Sequence, residues 1–199
     1  MIDFWFSIGS TYTYLTVMRL VEVQRNIGIE FRWRLFPVRQ LMNEQNKSPL
    51  HTKPVKMAYV WRDIERRAFM YGLPARVPAP YPLAEWDTAN GVAVLAADRR
   101  MDRWLHTSHL PTLVSGRTTT GKRTKPFRKP QRNPPRSLAG DGFGGDARHR
   151  NRLRGGIGRV CDLGIFGSPT FRVGHDLFWD DERLNDAIAW YRRSTLEGP

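Results

Sequence analysis

Ser10 and Thr11 place two hydroxyls where an aromatic strand hands over to a helix. The apolar run Ile2–Ile8 has the character of a strand buried on both faces, and Gly9-Ser10 supplies a turn. Tyr14, Val17, Met18 and Val21 then recur at helical spacing, on one face. A helix N-terminus leaves backbone N–H groups unpaired and carries the positive end of the helix dipole, so an anion is favoured beside Ser10. The same residues also read as an ordinary N-cap. Other chemistry is sparse. Cys161 is the single cysteine, which excludes an internal disulfide framework and a CxxC redox pair. The five histidines are scattered without metal-ligand spacing, so no metal is expected.

The elements that must position these hydroxyls follow from pattern. Asn26-Ile27-Gly28 stops the first helix, and residues 29–36 (IEFRWRLF) alternate, with Ile29, Phe31, Trp33 and Leu35 on one face. Strand, helix and strand in succession predict a parallel pair. Residues 43–55 read as a polar loop. Met57, Val60, Trp61, Ile64 and Ala68 mark an amphipathic helix that Gly72-Leu73-Pro74 ends, and residues 88–97 read as another helix. Near the C-terminus, Gly164-Ile165-Phe166-Gly167-Ser168-Pro169 leads into a short strand, Thr170–Val173, and a hairpin returns through Leu177-Phe178-Trp179. Asp180-Asp181-Glu182 opens a last helix, acids first as the dipole prefers, with Leu184, Ala187, Ile188 and Tyr191 on its apolar face.

Length and charge narrow the classes. The chain of 199 residues suits one domain, or one carrying an insert. No apolar run reaches the roughly 18 residues of a membrane span. No basic leader precedes the first strand, so a cytoplasmic protein is expected. The net charge of +13 is concentrated: residues 103–160 hold 14 of the 32 Lys and Arg but only Asp141 and Asp146 among the 19 acids. Of the 46 residues from 115 to 160 only 8 are apolar and 9 are glycine, so this stretch is expected to lack order.

Three stretches carry a family resemblance: residues 10–15 (STYTYL), residues 164–170 (GIFGSPT) and residues 178–184 (FWDDERL). Together they resemble the 2-hydroxychromene-2-carboxylate isomerases of the kappa-class glutathione transferase group. The resemblance implies an α/β, thioredoxin-like fold of the DsbA type with an inserted helical domain. The thioredoxin-like part would comprise residues 1–40 and 161–199, and the helical insert residues 41–103. It implies a cytoplasmic enzyme of aromatic catabolism, with glutathione as cofactor and a small aromatic substrate as partner. The reaction would interconvert 2-hydroxychromene-2-carboxylate and trans-o-hydroxybenzylidenepyruvate by thiolate addition, ring opening, bond rotation and elimination. Ser10 would be the catalytic residue, standing where thiol oxidoreductases of this fold carry the first cysteine of CxxC, with Thr13 at the second. Pro169 would be the cis-proline facing it, with the Ser168 backbone pairing to the peptide of glutathione. Asp181 and Glu182 would hold the γ-glutamyl ammonium, and Asn46 and Lys56 would reach glutathione from the loop and the following helix.

The chain departs from that family at named places. Thr11 replaces a proline, Thr13 a serine, Asp180 a glycine and Glu182 an aspartate. Residues 104–160 replace amphipathic helices with Arg, Gly, Pro and Thr in no order, which reads as an out-of-frame translation of a GC-rich gene. The alternative is a true basic, disordered insertion. Two rival functions remain at this point: a kappa-like glutathione transferase acting on another electrophile, and a nucleic-acid-binding protein using residues 104–160. Against the second, the stretch 115–160 has only Phe127 and Phe143 as aromatics, too far apart to form a stacking platform. No nucleic-acid or membrane partner is therefore expected, and a homodimer stays open.

Overall fold

The computed structural model describes residues 1–8, 10–47, 50–79 and 157–196. The aromatic run at the N-terminus forms β1 (Ile2–Phe6), and all five of its residues are buried. It lies inside a four-stranded sheet with β2 (Phe31–Leu35), β3 (Thr170–Val173) and β4 (Asp176–Trp179), in the order β2-β1-β3-β4. β1 runs parallel to β2, with Phe4 opposite Trp33, and antiparallel to β3, with Phe4 opposite Phe171. β4 returns antiparallel to β3, and Trp179 pairs with Thr170. The central position of β1, paired on both edges and covered on both faces, explains why four of its five residues are apolar, while the fifth, Asp3, is buried with Arg32, Arg34 and Arg172 as ion-pair partners.

Two layers cover the sheet. On one face Ile2, Phe4, Phe6 and Ile8 meet α1 (Thr11–Ile27) through Val17 and Leu20, and α4 (Leu184–Leu196) through Leu184, Ala187 and Ile188. Phe4 stacks on Phe6 and Phe171 at centroid distances of 5.1 and 5.4 Å and meets Trp33 edge-on at 5.0 Å. On the other face Trp5 and Phe36 meet α2 (Val38–Glu44) through Val38 and Leu41, together with Ile157, Val160 and Ile165. Burial of each such large side chain contributes about 1.5–3 kcal/mol. A third cluster joins the far side of α1, Tyr14 and Leu15, to Val60, Ile64 and Ala68 of α3 (Pro54–Met70). Gly28 ends α1 at φ +68°, a left-handed turn in which its N–H reaches the Gln24 carbonyl at 3.0 Å.

Several expectations need correction. The buried side of α1 is not the single stripe Tyr14, Val17, Met18, Val21. Residues 13–17 and Leu20 are buried because the helix is held between the sheet and α3, while Met18 and Val21 are only half-buried. Residues 43–55 are not one loop: α2 runs to Glu44, a 3-10 turn spans Leu50–Thr52, and α3 begins at Pro54. The boundary drawn at 40/41 therefore falls inside a helix that packs on the sheet. Residues 157–160, assigned on composition to the low-order segment, are helical, with Ile157 and Val160 buried against Trp5 and Phe36. The expected helix at 88–97, and the remainder of 104–160, lie outside the described residues. No helix among the described residues is long and apolar enough to cross a membrane.

Candidate functional site

Ser10 is the N-cap of α1. Its backbone is extended (φ −77°, ψ 123°), and its Oγ accepts a long hydrogen bond of 3.5 Å from the Thr13 N–H. The same hydroxyl donates to the Ser168 carbonyl at 2.8 Å, joining residues 158 positions apart. Ser168 is fixed from a second side as well. Its Oγ accepts the Ser7 N–H at 2.8 Å and shares a hydrogen bond of 2.9 Å with the Thr13 hydroxyl. The Ser168–Pro169 bond is cis, as expected from the GIFGSPT motif, and the Pro169 carbonyl accepts the Asp180 N–H at 2.9 Å. Three chain segments thus converge where β1 hands over to α1: the strand end, the helix start and the loop before β3.

The electrostatics of this corner favour an anion. The first turn of α1 contains no acidic side chain that would satisfy its free N–H groups internally. Ser10 is half-buried, so the dipole at that end is only partly screened. The chain's own thiol is elsewhere: Cys161 is exposed beside α2, its Sγ 3.8 Å from Glu44. Among the described residues no cluster of His, Cys, Asp or Glu stands at metal-holding distance.

The acids after β4 divide into three roles that position alone could not distinguish. Asp181 is buried, at 1 % exposure, and its Oδ1 accepts from the Thr16 hydroxyl at 2.8 Å and from the Arg19 guanidinium at 2.7 Å. The carboxylate expected to hold a ligand ammonium is therefore turned into the core, where it ties the 3-10 turn (Asp181–Arg183) to α1. Glu182 is exposed and is engaged by Arg67 of α3 at 2.6 Å. Asp180 adopts φ +88° and ψ 162°, a region that favours glycine, and its Oδ1 caps the Asp181 N–H at 2.7 Å. Burial, joined by the charges of Asp181 and Glu182, pushes the Asp180 carboxyl up to about 6.

Arg67 also reaches Asp63 at 2.9 Å, and Asp63 accepts from the Tyr12 hydroxyl at 2.9 Å. Burial opposes the charge on Asp63, but the bonds from Tyr12 and Arg67 outweigh it and hold the carboxyl below its ordinary range. Burial, with the bond to Asp63 and its charge, keeps the Tyr12 phenol protonated. The chain Tyr12–Asp63–Arg67–Glu182 thus connects the start of α1 with α3 and the turn after β4.

The structure brings Ser10, Ser168 and Pro169 into one hydrogen-bonded group. It places Asp181 beneath and Glu182 on the surface. Asn46 sits in a left-handed turn (φ +52°) after α2, and Lys56 lies in the first turn of α3. Both are exposed, and among the described residues neither bonds to that group. Thr13, which the resemblance places at the second position of the CxxC site, bonds to Ser168 as part of this group, whereas Thr16, Arg19 and Arg67 are neighbours that spacing does not single out. The density of hydroxyls from Ser10 to Thr16 is the signal in the sequence that could point to Thr16.

Comparison with known proteins gives three results. Residues 1–122 match the DSBA-like thioredoxin domain family. The chain is 24 % identical over 196 residues to the 2-hydroxychromene-2-carboxylate isomerase of Sphingobium xenophagum, covering 92 % of this chain and 94 % of that protein. It also superposes on the solved structure of a selenomethionine 2-hydroxychromene-2-carboxylate isomerase with a TM-score of 0.71. That match has 18 % identity and covers 96 % of this chain and 94 % of the other. At that identity the superposition establishes the fold.

Proposed function

The chain belongs to the DSBA-like thioredoxin domain family, and from that premise we propose that it is a glutathione-dependent isomerase interconverting 2-hydroxychromene-2-carboxylate and trans-o-hydroxybenzylidenepyruvate. The observation that carries the proposal is the hydroxyl of Ser10, hydrogen-bonded to Ser168 at the start of α1, with the chain's only cysteine elsewhere. A site of this fold with a hydroxyl and no thiol of its own can stabilise a sulfur anion that a ligand brings. The Sphingobium xenophagum relative, which carries that isomerase name over nearly its whole length, supports the choice of reaction.

The residues fit glutathione best at its thiol end. The free N–H groups of α1 and the Ser10 hydroxyl form an anion-favouring donor set with no competing internal acid. The cis Ser168–Pro169 loop offers backbone to the ligand's peptide, and its position is fixed by the bonds of Ser7 and Thr13 to Ser168. At the amino end the accessible carboxylate is Glu182, already paired with Arg67, whereas Asp181 acts beneath it as a structural support. When bound, glutathione would supply the sulfur nucleophile whose addition and elimination permit ring opening and bond rotation.

The protein's own part is positioning and charge. Ser10 turns its O–H from the Ser168 carbonyl towards the sulfur, a charge-assisted bond of about 1.5–3 kcal/mol. The helix N-terminus adds about 0.3–1 kcal/mol. Less the bond of about 0.5–1.5 kcal/mol given up at Ser168, and at 1.36 kcal/mol per unit, the two together lower a thiol pKa by about 0.5–2.5 units, so more nucleophile is present near neutral pH. Thr13 holds Ser168 in place while Ser10 changes partner. The test is isomerisation of 2-hydroxychromene-2-carboxylate followed by absorbance, with and without glutathione. Turnover that requires glutathione is expected; turnover equal in its absence would overturn the proposal.

A further inference from the structure

Beside the Ser168–Pro169 loop stands an exposed aromatic pair that the chemistry above does not use. Phe166 and Trp179 keep 42 % and 47 % of their surface, with ring centroids 5.0 Å apart and planes tilted by 58°. Rings exposed singly need no explanation, but two exposed rings in contact form a contiguous apolar patch. The pair is held near the site. Trp179 is opposite Thr170, the residue after Pro169, and its indole occupies the space that a Cβ on Gly167 would need. Lys47, in the loop after α2, places its Nζ 5.4 Å from the Phe166 ring centroid, and it makes no ion pair with a described carboxylate. Its backbone is anchored by a 2.8 Å bond from the Lys47 N–H to the Met42 carbonyl.

We propose that Trp179, Phe166 and Lys47 form a specificity subsite for a planar aromatic carboxylate, the ring resting on the aromatic pair and the carboxylate meeting the Lys47 ammonium. The position of the subsite beside a thiol-activating centre rests on the function proposed above; its binding preference does not. Aromatic pairs prefer offset or edge-on contact, and two rings at 58° offer a third ring both kinds of surface. An ammonium held over the Phe166 ring, at one end of such a platform, selects an anion over a neutral analogue of the same shape. This assigns substrate choice to residues outside the Ser10 group, and to one, Lys47, that follows the expected ligand Asn46.

Calorimetric titration of the full chain tests the assignment with three probes: trans-cinnamate, cinnamyl alcohol and 3-cyclohexylpropanoate. The wild-type protein should bind trans-cinnamate tightest, because only that probe is both planar and anionic. Trp179→Leu should weaken trans-cinnamate about 3–10-fold, the worth of one aromatic contact, and move 3-cyclohexylpropanoate by less than about twofold. Lys47→Gln should abolish the preference for trans-cinnamate over cinnamyl alcohol, and Lys47→Arg should keep it, since both cations can pair with a carboxylate. The subsite is refuted if the wild type binds the alcohol as well as the acid. It is equally refuted if Trp179→Leu and Lys47→Gln bind trans-cinnamate as the wild type does, or if trans-cinnamate does not bind. Glutathione titrated into the wild-type chain separates the two claims: no glutathione binding with the probe pattern intact would remove the proposed isomerase reading and leave the subsite standing.

Discussion

Replacing Asp180 by asparagine should stabilise the protein at neutral pH and do almost nothing in acid. Asp180 is partly buried beside Asp181 and Glu182, and its carboxyl is pushed up from 3.8 to about 6. The native state therefore holds this proton more tightly than the unfolded chain. The sign follows: below about pH 4 both states are protonated and nothing is lost. Between about pH 4 and pH 6 the unfolded chain ionises first and stability falls, and above pH 6 the full cost is present. Two units correspond to about 3 kcal/mol, reduced towards about 2 kcal/mol by screening at the partly exposed edge of the group. Asparagine keeps an oxygen that can cap the Asp181 N–H, so the 2.7 Å bond need not be lost. Urea unfolding of both proteins at pH 4, 5, 6 and 7 gives the difference directly, and contributions from Asp3 and Asp63 cancel because both proteins carry them. The difference should grow from near zero to about 2–3 kcal/mol across that range. A difference that stays constant from pH 4 to pH 7 would refute the argument that the Asp180 charge is the cause.

Ser10→Ala should lower kcat of the proposed isomerisation about 10²–10³-fold, the usual loss for one preorganised donor, with a smaller change in glutathione affinity; steady-state rates at saturating glutathione check this. Arg19→Met removes the cation paired with the buried Asp181 carboxylate, leaving it the hydroxyls of Thr16 and Tyr71, and should cost about 3–5 kcal/mol in urea unfolding. Adding Asp181→Asn to that variant should recover most of the loss, because the unpaired charge is then gone. Gly167→Ala forces the Trp179 indole off the loop and should cost about 1–3 kcal/mol, measured by the same unfolding assay.

Much of the architecture could be read from local pattern because its causes are local. β1 is mostly aromatic and apolar because it is central, and α1 begins after Ser10 because a turn and a capping hydroxyl precede it. The amphipathic stripe of α3 and the hairpin after Pro169 are equally visible. The features that local pattern does not reveal depend on packing between distant segments. α1 is buried on two sides, so one stripe could not describe it. α2 carries only Val38 and Leu41 as buried residues and starts at a proline, too short a signal to stand out. Ile157 and Val160 look unremarkable in a glycine- and arginine-rich window, yet Trp5 and Phe36 give them a core.

The site shows the same division. The Ser10, Ser168 and Pro169 group was legible through its motifs. The fate of Asp181 was not, since its partners Thr16 and Arg19 lie 165 and 162 positions away. In the sequence it is one of three consecutive acids; in the fold it is the buried one.

In the proposed reaction the start of α1 stabilises, through Ser10, a thiolate carried by a ligand. The most direct measurement is the thiol pKa of bound glutathione, followed by thiolate absorbance near 240 nm from about pH 5 to 9. A free thiol has a pKa of about 8.5. The value should be lowered by about 0.5–2.5 units in the wild-type protein and partly restored in Ser10→Ala, where the hydroxyl donor is lost and the helix N-terminus remains. A bound thiol that titrates like the free one, or the same lowered value in both proteins, would contradict this role of Ser10.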